Sequence, residues 1–209
     1  MVDHEDLIQH LASEASAVSR PLPVAARALV WAVLAVAAGL AASRLMPTAH
    51  PDWSAPGAYL FLANAGISFF LGFAGLAFAF STSIPGRDQS GFVWILAILL
   101  LWAAINAASI LTSADPVGEL GEGRYCFRFV ALAGAPMVAV TLVALWRTGS
   151  LRPAQTLGVT GAAVGFLAFG LLAFCHPPEM SAVDFFMHLL AAAALALVTM
   201  LAGWRLIAA

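Results

Sequence analysis

The sequence predicts an all-α integral membrane protein with six transmembrane helices, both termini cytoplasmic, and a short N-terminal cytoplasmic helix ahead of the first span. Three observations predict it. Hydrophobic residues make up 62% of the 209 positions and charged residues 10%. With a mean hydropathy of +0.94, too little polar surface is left to clothe a water-soluble globule of this size. The apolar residues fall into six continuous runs, each near the roughly 20 residues needed to cross about 30 Å of hydrocarbon. The arginines, finally, sort to alternate connections, as the positive-inside rule requires of a multi-pass membrane protein.

Residues 1–24 form the first unit, a cytoplasmic segment expected to stay attached because it lacks a basic region followed directly by an apolar core. Within it, "DHEDLIQHLASEASAV" sets Leu7, Ile8, Leu11, Ala15 and Val18 at helical spacing, with Asp3, Glu5 and Asp6 near the favourable positive end of a helix dipole. Such a helix is marginal alone in water. Its apolar stripe is either a surface for a partner protein or a bare overhang; the acidic character disfavours anionic lipid. Pro21 and Pro23 then break the helix and connect the segment to the membrane unit, residues 25–209.

The spans are expected at 27–46, 58–80, 92–112, 128–146, 154–174 and 182–204. They are continuously apolar and rich in Ala and Leu, unlike the alternating segments of about ten residues that build a barrel. Lysine is absent. With the N-terminus inside, the cytoplasmic side holds Arg20, Arg27, Arg87, Arg147, Arg152 and Arg205, and the other side Arg44, Arg124 and Arg128. Asp115, Glu119 and Glu122 make one external loop acidic, and Trp31, Trp53, Trp94, Trp146 and Trp204 fall near span ends, where indoles favour the interface. Gly161 with Gly165, and Gly72 with Gly75, offer small-residue surfaces for close helix approach, and Asn64 and Asn106 are placed to hydrogen-bond between spans. Pro136 is a candidate kink in the fourth span. The connections are too short to form a second domain.

The two cysteines of the chain carry its most specific chemistry. Cys126 begins the fourth span and Cys175 ends the fifth, so an antiparallel pair brings both to the external boundary as candidate sensing residues. In an oxidising compartment two such thiols can form a disulfide. Around Cys175 the string "FCHPPEMSAVDFFMHLL" adds His176, Glu179, Asp184 and His188, the last two four residues apart on one helical face. Cys126, Cys175, His176 and His188 together supply the S and N donors that zinc or a softer thiophilic metal takes. No constitutive cofactor is expected, because the spacing matches no recognised metal motif; a stress-dependent metal is the candidate ligand.

With these residues in view, the chain resembles the NrsF family of bacterial inner-membrane anti-sigma factors. The resemblance is carried, in order, by "DLIQHLA", "RPLPVAARALVW", "SIPGRDQSGFVW", "GRYCFRF", "LRPAQTLG" and "FCHPPEMSAVDFFMHLL". It implies a six-helix protein, not an enzyme, whose cytoplasmic N-terminal segment holds an extracytoplasmic-function sigma factor inactive. It also implies that Cys126 and Cys175 sense heavy-metal or oxidative stress. Met187 departs from the pattern, standing where the family more often carries Trp beside the late histidine. The competing classes are a membrane thiol-disulfide oxidoreductase, which would lack a CxxC motif here, and a small transporter, disfavoured by the scarcity of mid-membrane ionisable residues. Lipid and a sigma factor are the expected partners, with no direct contact to nucleic acid.

Overall fold

The computed structural model describes residues 4–15, 22–46, 52–54, 58–82, 84, 91–119, 124–175 and 180–207. These residues form seven helices: α1 (His4–Glu14), α2 (Val24–Ser43), α3 (Ala58–Thr82), α4 (Phe92–Leu111), α5 (Arg124–Trp146), α6 (Pro153–Leu172) and α7 (Ala182–Ile207). All but α1 are long and apolar enough to cross a membrane. The six-span expectation therefore holds, and so does the short helix that precedes it.

α1 starts with Glu5 and Asp6 in its first turn, where carboxylates meet unpaired backbone N–H groups and the positive end of the dipole. None of its residues is buried. α2 begins directly after Pro23, whose carbonyl accepts the Arg27 N–H at 3.0 Å. It turns a face of small residues inward: Ala28, Ala32, Ala35, Gly39 and Ser43 are buried, while Leu29, Val33 and Leu40 stay exposed. Outward leucines and valines in such number are the mark of a surface meant for lipid.

α6 is the hub, with buried residues on every side. α3 and α7 pack along it, α5 packs against α2, α6 and α7, and α4 lies outermost against α3. The glycine spacings explain why α6 can accept so many neighbours. A Cβ at Gly161 would collide with the Ala196 backbone of α7, and one at Gly72 would stand 2.6 Å from the Leu167 side chain and 3.0 Å from the Ala163 carbonyl. Close approach of this kind substitutes for the hydrophobic driving force that lipid removes.

Side-chain hydrogen bonds stitch the helices, one pair of them between the two asparagines that the sequence offered. Asn64 and Asn106 exchange amide hydrogen bonds at 3.0 and 3.1 Å across α3 and α4. Trp102 Nε1–H donates to Ser68 Oγ at 2.9 Å, and Asn106 Nδ2 also donates to the Trp102 carbonyl at 2.7 Å. Trp102 and Asn106 are the buried residues of α4. Pro136 lies inside α5, which continues through it.

Successive spans run antiparallel, and contacts between their ends fix which termini meet. At one end, Arg27 lies 4.8 Å over the Phe80 ring. Thr82 Oγ1 and Thr156 Oγ1 are 3.1 Å apart, Ser150 Oγ is 2.8 Å from Thr156, and the Ser150 N–H donates to the Ile207 carbonyl at 2.9 Å. The start of α2 and the end of α7 thus share this end, called here the N-terminal end. At the opposite end the α4–α5 connection reaches α7, with Ala182 N–H donating to Pro116 O at 2.9 Å and Val183 N–H to Val117 O at 3.2 Å.

Most helix ends fall within four residues of expectation, α2 three residues earlier at both ends and α7 running three further, and two of the shifts lie beside the cysteines. α5 starts at Arg124, so Cys126 and Arg128 both lie within the helix. α6 stops at Leu172, leaving Cys175 beyond it. The chain tightens there through N–H bonds from Phe174 to Leu171 O and from Cys175 to Leu172 O. Pro177 and Pro178, which follow in the sequence, disfavour further helix.

Candidate functional site

The opposite end holds the chemistry, and local sequence explains how. Ser181 caps α7, its Oγ accepting the Asp184 N–H at 3.1 Å. The loop carbonyls of Pro116 and Val117 take two more of the first-turn donors. A rigidly capped α7 sets Asp184 in its first turn, with His188 one turn on and on the same face. Both turn inward: Asp184 is 5% exposed and His188 1%. The His188 Nδ1 stands 3.9 Å from Asp184 Oδ2, and the Phe169 ring of α6 packs edge-on against the imidazole with centroids 4.8 Å apart.

α5 supplies the third member. Cys126, in its first turn, is buried with its thiol beside the Asp184 carboxyl. One ligand atom each from Cys126, Asp184 and His188 lie within 4.8 Å of one another. A thiol, a carboxyl and an imidazole are thereby gathered in an otherwise apolar surround.

Cys175 is a free thiol, as Cys126 is, but it occupies a different setting. It packs at the edge of the same core and is partly exposed. Burial pushes its thiol up, and the Arg44 guanidinium at the end of α2 pulls it partly back. Both thiols stand within electrostatic reach of the Tyr125 phenol, which puts them in one neighbourhood. Cys175 is not a member of the compact cluster. His176 lies outside the described residues, so of the four expected metal donors the structure gathers Cys126 and His188 and joins Asp184 to them. Asp184 was visible in the sequence as the partner four residues before His188; selecting donors by softness alone left it out.

The candidate partner-binding residues sit on α1. Leu7, Ile8 and Leu11 are exposed on that helix and Ala15 follows its end, also exposed; Val18 lies outside the described residues. Beside the cluster, a cavity of about 200 Å³ opens between α4, α6 and α7, lined by Trp102, Phe166, Phe169, His188 and alanines of α7.

The family model for NrsF, negative regulator of sigma F, matches residues 11–208. The chain belongs to the NrsF family. The match takes in all six spans and the Cys126–Asp184–His188 cluster, along with Cys175, and begins inside α1 at Leu11. NrsF membership makes the protein a negative regulator of a sigma factor. No curated protein and no solved structure matches the chain.

Proposed function

We propose that this NrsF-family protein is an inner-membrane anti-sigma factor that holds an extracytoplasmic-function sigma factor at the bilayer through residues 1–24. It releases that partner when thiols on the periplasmic side react with an oxidant or a thiophilic metal. The observation that carries the reading is the family match over nearly the whole chain, combined with a helix at its start that buries nothing within its own protein. Leu7, Ile8 and Leu11 expose an apolar stripe next to acidic residues, the pattern of a helix that docks into a partner's groove. The arginine distribution supports placing the N-terminal end in the cytoplasm and the cysteines on the far side.

The mechanism is a linkage between two binding events. One arrangement of the bundle presents α1 to the sigma factor, and a reaction at the thiols favours another, so each weakens the other. A complete reversal of a two-state population takes about 5.5 kcal/mol of differential stabilisation. A disulfide contributes about 2–4 kcal/mol, so a partial but useful shift is within its reach. Cys175, partly exposed, is the thiol that a water-borne oxidant meets first; Cys126 is buried. Disulfide formation by a peroxide-class oxidant removes two protons and two electrons from the pair and reduces the peroxide to water.

The test is capture of candidate sigma factors by the full chain and by a version lacking residues 1–22, in detergent, under reducing and oxidising conditions. Capture by the full chain that truncation abolishes and oxidation weakens is the expected result. Cys126→Ser and Cys175→Ser are expected to keep capture and lose its redox dependence. No capture by folded full-length protein sinks the anti-sigma assignment for the partners tried, and unchanged induction in both cysteine variants sinks the sensing role.

A further inference from the structure

We propose that Cys126, Asp184 and His188 form a binding site for one divalent cation of the zinc group, and that Cys175 takes no part in it. The donor set is thiolate, carboxylate and imidazole, the three ligand types that zinc uses, and the thiolate extends the range to softer ions of the same charge, such as cadmium. The atoms are already gathered, each within 4.8 Å of the others and all three residues buried. Drawing them onto a common ion at about 2.0–2.3 Å takes side-chain adjustment of an ångström or so, because two donors on one tetrahedral ion lie nearer together than that spacing.

Charge accounts for why such residues belong at this depth. An intramembrane carboxylate beside an intramembrane histidine is expensive and marks a functional site by default. A dication bound by one thiolate, one carboxylate and one neutral imidazole sums to zero, which is the charge a low-dielectric surround tolerates. Binding releases the Cys126 proton to solvent and leaves a fourth coordination position for water or an added ligand. The supporting shell is also present. Ser181 and the Pro116 and Val117 carbonyls fix the first turn of α7, and Phe169 fixes the imidazole plane. Outer-shell order of this kind is what keeps ligands preorganised.

This deepens the sensing reading and rests on it for its regulatory consequence. A metal on Cys126 occupies the thiol that oxidation would join to Cys175, so metal and oxidant act on overlapping residues through different partners. The experiment is titration of the reduced full-length chain, in detergent micelles, with cobalt(II), followed by displacement with zinc. A thiolate-to-cobalt charge-transfer band saturating at one equivalent is expected, and Cys126→Ser should abolish it. Loss of an outer-shell partner alone costs about 10–100-fold in affinity, so Asp184→Asn, His188→Ala and His188→Gln should each weaken binding by at least about tenfold. Cys175→Ser should bind as the parent does. Only variants with parental helix content and elution enter the comparison, and His188→Gln stands in where His188→Ala misfolds. Failure of the folded parent to bind, loss of the band in Cys175→Ser, or parental affinity in the Asp184 and His188 variants would each overturn the site. Sigma-factor capture, measured on the same samples, tests the sensing reading separately: a cobalt band with no effect on capture keeps the site and removes its regulatory consequence.

Discussion

Asn106→Leu is the substitution whose cost follows most directly from the structure. α4 buries only Trp102 and Asn106, so its attachment to the bundle depends on few side chains. Leucine keeps asparagine's branched shape and is the bulkier of the two, so it removes the polar contacts without opening a cavity. Two interhelical hydrogen bonds go, those exchanged with Asn64 at 3.0 and 3.1 Å. In a bilayer protein each is worth on average about 0.6 kcal/mol and at most about 1.7. Asn64 is then left with a buried amide that has lost both bonds, at a cost of about 1–3 kcal/mol. Together the expected destabilisation is about 2–5 kcal/mol. Asn64→Leu should cost less, because Asn106 Nδ2 keeps its 2.7 Å bond to the Trp102 carbonyl. The double substitution loses the shared bonds only once and leaves no orphaned amide, so it should cost at least about 2 kcal/mol less than the two single changes added together. Reversible unfolding in mixed detergent micelles, followed by tryptophan fluorescence, measures all three. Additivity within about 0.5 kcal/mol, the behaviour of independent sites, would refute the reasoning.

Further predictions follow from packing, thiol chemistry and the exposed helix. Gly161→Leu should force α6 from α7 and destabilise by about 3 kcal/mol or more, whereas Gly66→Ala, with nothing within 4 Å of the new methyl, should be neutral or stabilising by up to about 1 kcal/mol; thermal unfolding of the pair separates crowding from helix propensity. Maleimide labelling of the folded protein should modify Cys175 and spare Cys126. Because burial holds the Cys175 thiol above the ordinary range, its thiolate fraction, and with it the labelling rate, should still be climbing past pH 8.5, the usual thiol pKa being about 8.5. Arg44→Gln removes the charge that favours the thiolate and should slow labelling further at fixed pH. Leu7→Glu combined with Leu11→Glu should leave thermal stability unchanged, since α1 buries nothing, while lowering sigma-factor capture at least about tenfold, the loss expected when even one buried leucine is removed from an interface.

Helix existence was legible because lipid imposes it: a run of about 20 apolar residues has few other ways to satisfy its backbone. The small-residue spacings and the Asn64–Asn106 pair were legible for the same reason, since polar and glycine positions stand out against so uniform a background. Trp102 was not singled out, because the rule that places indoles at interfaces says nothing of one that finds a hydroxyl partner in the interior, as this one does in Ser68. The cluster was half legible. Asp184 and His188 share a helix, and their spacing declares them neighbours; Cys126 comes from another helix, and only the rotation of α5 about its axis decides what it faces. That rotation is fixed by packing against α2, α6 and α7 together, which no local pattern encodes.

α7 is one unbroken rod from Ala182 to Ile207. At 1.5 Å per residue, Asp184 and Ile207 stand roughly 35 Å apart along it. A helix resists stretching because every turn is tied to the next, so a pull on its first turn is not taken up on the way. The carbonyl of Ile207 holds the N–H of Ser150, and the Ser150 hydroxyl meets Thr156, which meets Thr82. A shift of α7 at one face of the bilayer is therefore handed over, as leverage, to the corner where α3, α6 and α7 are tied together at the other.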